Sequence, residues 1–290
     1  MEQRIAPTLI TPTYAPDFER AELLCRSVDR FVADCREHLL VIDRRDQALF
    51  RPLAGDNRRL VIKEELLPPW LHPPLVGRRW WWSWRTLPVR GWIVQQIAKL
   101  SMGSVCEGEL LVFADSDVAF VRPFCLGSLA TPEGARLYAG PRKPEDYRDR
   151  RHNNWYRHAA SVFDLAGDAH CHRDYITQLV VWRRSVLGQL TAALTAKAGY
   201  DWRLALARTL DFSEYILYGV FVEHVLGLAA AGHFATEEEL AYCSWHHTIA
   251  SPGELAAFLR AVPPHYPAVL IQSNLGFDPA QYGEQLVAGE

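Results

Sequence analysis

Two aspartates, Asp115 and Asp117, follow at once on the apolar run 110–113 (LLVF). Carboxylate oxygens at that spacing suit a hard divalent cation, Mn²⁺ or Mg²⁺, which keeps substrate phosphates in its shell. Such a cation neutralises charge on a diphosphate leaving group as its bond to the transferred group breaks. In a solvated turn a D-x-D pair means little. At the end of a buried strand it means more, because two bare carboxylates are costly to hold there.

Two other clusters invite chemistry. His170-Cys171-His172 has metal-binding side chains two apart, but no matched second pair, and reads as loop histidines. Residues 77–85 (GRRWWWSWR) interleave tryptophan with arginine. They could stack sugars, hold phosphate, grip a lipid-linked acceptor at a membrane surface, or fill the core. A mixture of core packing and ligand contact is expected, with a peripheral membrane contact as part of it.

The elements that must position these residues alternate. Strands are expected at 7–13, at 38–42 ending on Asp43, at 59–63 and at 110–113, and helices at 17–35 and 91–102. Short buried strands alternating with helices make a mostly parallel sheet covered on both faces, the Rossmann-type α/β arrangement. Ligands collect at the carboxyl ends of such strands. Residues 11–14, 43–46 and 115–117 all stand at those ends. The second half is less regular: a long charged loop at 142–158, a strand at 175–183, and a helix at 186–198. An amphipathic helix at 212–226 follows, with Asp211 or Ser213 as N-cap and Gly227 as its stop. Ser251-Pro252-Gly253-Glu254 is a capping box opening a helix to 262, and 269–272 is a last strand. Without a repeat or a clean linker, residues 1–290 read as one domain.

Composition excludes several classes. Of 290 residues, 49% are apolar and 22% charged, and the net charge is −3. That is globular, with no global attraction to nucleic acid. Six cysteines without a C-x-x-C pair suggest reduced thiols. Residues 1–4 lead into a stretch broken by Pro7 and Pro12, which is no signal peptide. No run approaches the roughly 18–20 apolar residues of a membrane span. A cytoplasmic location is expected.

The order of motifs carries a resemblance. Thr11-Pro12-Thr13-Tyr14, the helix GWIVQQIAKL at 91–100, the strand with D-S-D, DFSEYxxYG at 211–219 and SWHH at 244–247 resemble a bacterial GT-A-type glycosyltransferase family. That family was first catalogued without a known function, and the likeness spans residues 8–272. It implies a GT-A-like fold, with about 1–125 binding the nucleotide sugar and about 126–290 the acceptor. Thr11, Thr13 and Tyr14 would contact the nucleotide and Asp43 the ribose or base, while Gln95 and Lys99 would face the donor. Asp115 would meet the ribose or the metal, Asp117 would be the principal ligand, and His247, rather than His246, would complete the shell. Glu214, with Asp211 as the fallback, would be a base or an acceptor-binding carboxylate. The implied reaction moves a sugar from a UDP- or GDP-sugar to the hydroxyl of a sugar or small-molecule acceptor, in cell-surface polysaccharide or secondary-metabolite synthesis. The D-x-D strand also resembles the opening of a haloacid-dehalogenase-type phosphatase, which places that motif near the chain start and needs a downstream acidic pair. That phosphatase, or a non-catalytic sugar or nucleotide binder, is the alternative.

Overall fold

The apolar runs of the first half are strands buried on both faces. In the computed structural model, which describes residues 7–288, β1 (Pro7–Pro12), β2 (Glu37–Ile42), β3 (Arg58–Ile62) and β4 (Leu110–Ala114) lie parallel. β5 (Leu179–Arg183) closes the sheet antiparallel to β4, giving the order β5-β4-β1-β2-β3. The leader-peptide reading of residues 1–4 lies outside the described residues. Side chains alternate across the pleat. Ile10, Leu39, Val41, Leu111 and Phe113 share one core with Ile93, Val94 and Ile97, while Leu9, Val112 and Ala114 share another with Leu24 and Val28. The two cores are the inner faces of two helices, α1 (Phe18–Phe31) and α2 (Gly91–Ser101), on opposite sides of the sheet.

The connectivity decides where a ligand can sit. The chain runs from β1 through β2 to β3 in one direction, then returns to lay β4 against the other side of β1. Strand order therefore reverses between β1 and β4, and a crevice opens at their carboxyl ends. Tyr14 stands on one lip and Asp115 on the other. Immediately after the D-x-D turn, Val118–Phe120 joins a second sheet, antiparallel to Ala268–Leu270, which runs parallel to Ala241–Cys243. This register brings the segment after Cys243 to the D-x-D edge: the Ile271 N–H donates to Asp117 O at 3.1 Å and the Gln272 N–H to Ser244 Oγ at 3.0 Å.

Three expectations are corrected. The charged stretch at 142–158 is not all loop, because α3 (Arg150–Phe163) begins within it. Asp149 caps it, its carboxylate accepting from the Arg151 N–H at 2.6 Å. Only Trp155, Tyr156 and Ala159 of its 14 residues are buried, so the apolar face is hidden among charges. Asp149→Ala should cost about 1 kcal/mol of stability in urea denaturation, as loss of a helix cap does. The helix expected at 212–226 is shorter: α4 (Glu214–Val220) is capped by Ser213 and passes into a π-helical turn at Phe221–Leu226 before Gly227. The strand expected at 175–183 is only β5. The Trp-rich passage forms a small antiparallel sheet of three short strands, Leu71–His72, Trp80–Ser83 and Val89–Arg90. Among the described residues, all six cysteines are free and no helix is long and apolar enough to cross a membrane.

Candidate active site

Helical spacing of three and four places Trp92, Gln95 and Lys99 on one face of α2, with Met102 just past its end. That face meets Thr13 and Tyr14 after β1, Asp43 after β2 and Lys63 after β3, with Arg78 and Trp81 from the Trp-rich passage. Together they wall a cleft of about 230 Å³. Five of the residues expected at a nucleotide site, Thr13, Tyr14, Asp43, Gln95 and Lys99, are thus brought together.

The walls are aromatic and charged. Asp43 is buried and ion-paired with Lys63, with Arg45 at 3.6 Å and with Arg78 at 2.6 Å. Arg78 also donates twice to Asp46, at 2.7 Å each, and its guanidinium lies 5.4 Å from the Tyr14 ring centre. Lys63 lies 5.0 Å from the Trp81 ring centre. These carboxylates hold the cations at the cleft wall and partly offset their charge. Thr13 Oγ1 is buried with no partner, a polar atom left for a ligand.

Thr11 is a correction. Successive strand residues point to opposite faces, and its hydroxyl turns away from the cleft to His38 Nε2, 3.0 Å away. Arg58 donates to His38 Nδ1 at 3.0 Å, so Nε2 carries the proton and Thr11 accepts it. Burial, with Arg58 adding to it, pushes the His38 imidazole down to about 3. Thr11→Val should therefore lower stability by about 1–3 kcal/mol through an unpaired buried N–H. Thr13→Val should leave stability nearly unchanged and weaken the cleft's ligand. Thermal denaturation and calorimetric titration of the pair read the two effects separately.

Beyond the cleft stands the D-x-D turn, tied to it by Lys99. The Lys99 ammonium is buried, 3.3 Å from Asp115, 3.1 Å from Glu214 and 2.5 Å from the Tyr215 hydroxyl. Burial alone would depress it, but Asp115, Tyr215 and Glu214 together hold it well above its ordinary value. One cation thus answers two carboxylates. Among the described residues Asp117 has no ion-pair partner: burial, then the charge of Asp115, push its carboxyl up to about 7, against a hydrogen bond from the Ser273 backbone. Asp17, which the sequence reading passed over, adds a third acid. Its carboxyl is raised by burial and by Asp115, with Arg20 at 3.4 Å pulling the other way.

This donor set fits a hard divalent cation. Asp115, tied to the cleft through Lys99, and Asp117, which lines a small separate cavity with Arg20 and Tyr282, carry surplus negative charge, and such cations take one or two protein carboxylates plus phosphate oxygens and water. Among the described residues no three His, Cys, Asp or Glu side chains gather into a complete metal cage. His247 does not join the aspartates: it is exposed, and its ring packs 4.9 Å from Tyr242 and 5.1 Å from Phe258. His246 lies near Lys143 and Glu239, at 3.2 and 3.5 Å. His170 is buried and His172 exposed, so that pair shares no site.

The two candidate bases separate. Glu214 is buried beneath the D-x-D turn, its N–H donating to Gln96 Oε1 at 2.9 Å and its carboxylate on Lys99, so it faces no opening. Gln96, on the inner side of α2, serves this join rather than the cleft. Asp211 instead lines a neighbouring groove with Arg90, Arg150, Arg151 and His158. One Asp211 oxygen lacks a hydrogen-bond partner, with Arg90 and Arg151 at 3.7 and 3.8 Å. Arg151 lies 4.2 Å from the ring centre of Trp92, which lines the cleft, so one side chain divides groove from cleft. Trp81, Trp92, Lys63 and Arg78 were not singled out by the sequence; the Trp-Arg interleaving pointed at two of them as a group.

No curated protein matches the sequence. The fold is similar to a crystal structure of the galactosyltransferase LgtC in complex with donor and acceptor sugar analogs, at 12% identity and a TM-score of 0.48, over 97% of this chain and 95% of that one. Residues 4–256 match the family of unknown function DUF6492, and the chain belongs to that family.

Proposed function

We propose that this protein is a metal-dependent glycosyltransferase, moving a sugar from a nucleotide-diphosphate sugar of the UDP or GDP class to an acceptor hydroxyl. The observation that supports it most is a cleft with aromatic and cationic walls, at the point where strand order reverses, joined through Lys99 to Asp115 of the D-x-D turn. Tyr14 and Trp81 offer faces to a base, and Thr13 a free hydroxyl to the nucleoside. Gln95 reaches toward the sugar. Lys99 holds Asp115 in place, and Glu214 locks Lys99, so Glu214 is a positioning residue. Asp115 and Asp117 would hold Mn²⁺ or Mg²⁺, which when bound supplies charge neutralisation at the diphosphate. The arginine-lined groove across Trp92 would suit the acceptor. There Asp211, ion-paired with Arg90 and Arg151, would take the acceptor's proton.

The test is calorimetric titration with UDP- and GDP-sugars, with and without Mn²⁺, alongside release of nucleoside diphosphate. Metal-dependent binding of one donor class is expected. No binding of any donor by folded protein with metal present would sink the reading. Phosphate release from a monoester, lost in Asp115→Asn, would favour the phosphatase instead.

A further inference from the structure

Residues 72–88 are 17 consecutive positions without an aspartate or glutamate, three of them arginine. Within them the strand Trp80–Ser83 sorts its tryptophans by the two-residue period. Trp81 turns inward, buried, onto the donor-side cleft. Trp80 and Trp82 turn outward, joined by Trp84, Leu75, Val76 and Leu87, all between 45% and 96% exposed. Arg79, Arg85 and Arg90 are exposed among them. Leu210, also exposed, lines a groove with Trp80, Leu87 and Arg208 beside this face. Six large apolar side chains exposed within one short segment, two of them sharing a groove with Leu210, point to an interaction site rather than ordinary surface.

We infer that this face seats the protein on an anionic phospholipid bilayer. Indole rings settle at the headgroup level, where their apolar bodies and N–H groups are both satisfied. Arginines beside them meet the negative surface potential of anionic lipid. A second copy of the chain fits less well. A two-fold contact would set Arg79 and Arg85 against their own equivalents, with no acid in the segment to answer them. The bilayer would be met from one side, by the outer face of a short strand. Because Trp81 is the inward residue of that strand, the cleft would lie one strand's thickness from the lipid surface. The inference stands apart from the transferase reading, since it rests on the outer face alone.

Vesicle co-sedimentation tests it, with phosphatidylcholine alone and with one-third phosphatidylglycerol. The protein is expected to sediment with the anionic vesicles, less so at high salt, and brominated lipid is expected to quench its tryptophan fluorescence. Trp82→Ser/Trp84→Ser should lose at least about tenfold in binding, the order expected from taking two indoles off the interface. Arg79→Gln/Arg85→Gln should lose roughly 25-fold, at about fivefold per charge near an anionic surface. Circular dichroism and ligand binding in the cleft should be unchanged in both variants. Failure to sediment with anionic vesicles would overturn the inference. So would equal, salt-insensitive binding to neutral vesicles, or binding unchanged in the variants. A dimer in light scattering that Trp82→Ser/Trp84→Ser breaks would assign the face to a second copy.

Discussion

Asp117→Asn is expected to weaken metal-dependent donor binding at least a hundredfold and, in the same protein without metal, to raise stability at pH 8. The first effect follows if Asp117 is the principal ligand, since a neutral amide replaces a charged oxygen in a shell that has few protein donors. The second follows from linkage. The Asp117 carboxyl titrates near 7 in the fold and near 3.9 in an unfolded chain. A raised carboxyl pKa means that ionisation is disfavoured in the native state. Its cost is absent below about pH 4, grows as pH rises, and is complete above about pH 7. At pH 8 this amounts to about 2–4 kcal/mol, or several degrees in Tm. Scanning calorimetry of both proteins without metal, at pH 5 and pH 8, checks it: the gap should be present at pH 8 and shrink at pH 5. Added Mn²⁺ should raise the Tm of the native protein and not that of the variant. A variant no more stable at pH 8 would mean that Asp117 is not an uncompensated charge, and would remove the physical case for a cation there.

Lys99→Met should lower stability by about 3–5 kcal/mol, the usual loss when one member of a buried ion cluster is removed. The reason is specific to this cluster. Lys99 answers both Asp115 and Glu214, and its loss leaves two carboxylates and the Tyr215 hydroxyl without a cation. Lys99→Met/Glu214→Gln should recover much of the loss, because only the partly exposed Asp115 then remains charged. Urea denaturation of the two single variants and the double variant gives the coupling energy. A double variant that behaves as the sum of the singles would show that Glu214 and Lys99 do not act as a unit. The same cycle, read by donor binding, separates a positioning Glu214 from a base. A positioning role predicts that Glu214→Gln weakens binding with the metal, whereas a base would alter turnover and its pH profile alone.

Much of this was legible in the residues. The run LLVF before Asp115 marked a buried strand, and β4 is that strand. Gln95 and Lys99, which the resemblance set toward the donor, both line the cleft. The Trp-Arg interleaving of residues 77–85 pointed to a mixture of core and contact, and Trp81 is buried while Trp82 is not. Local pattern suffices in such cases because the period of the element alone decides which side chains share a side.

The remainder needed contacts that no local pattern carries. α3 was missed because three buried residues among charged ones leave little periodic signal, and the cap that starts it lies outside the apolar pattern. Thr11 and Thr13 are two apart on an extended segment and look alike in sequence. A turn after Pro12 sends one hydroxyl to His38 and leaves the other at the cleft. Glu214 and Asp211 are both acids near a helix start. Only the approach of Lys99, 115 positions away from Glu214 in the chain, buries one and leaves the other open to a groove. The sequence by itself determined the strands, the helix faces and the place of the D-x-D turn, since these follow from spacing along the chain. Which acid is buried, which hydroxyl is free and which tryptophans face outward were decided by the tertiary structure, because burial and charge pairing depend on what distant segments bring alongside.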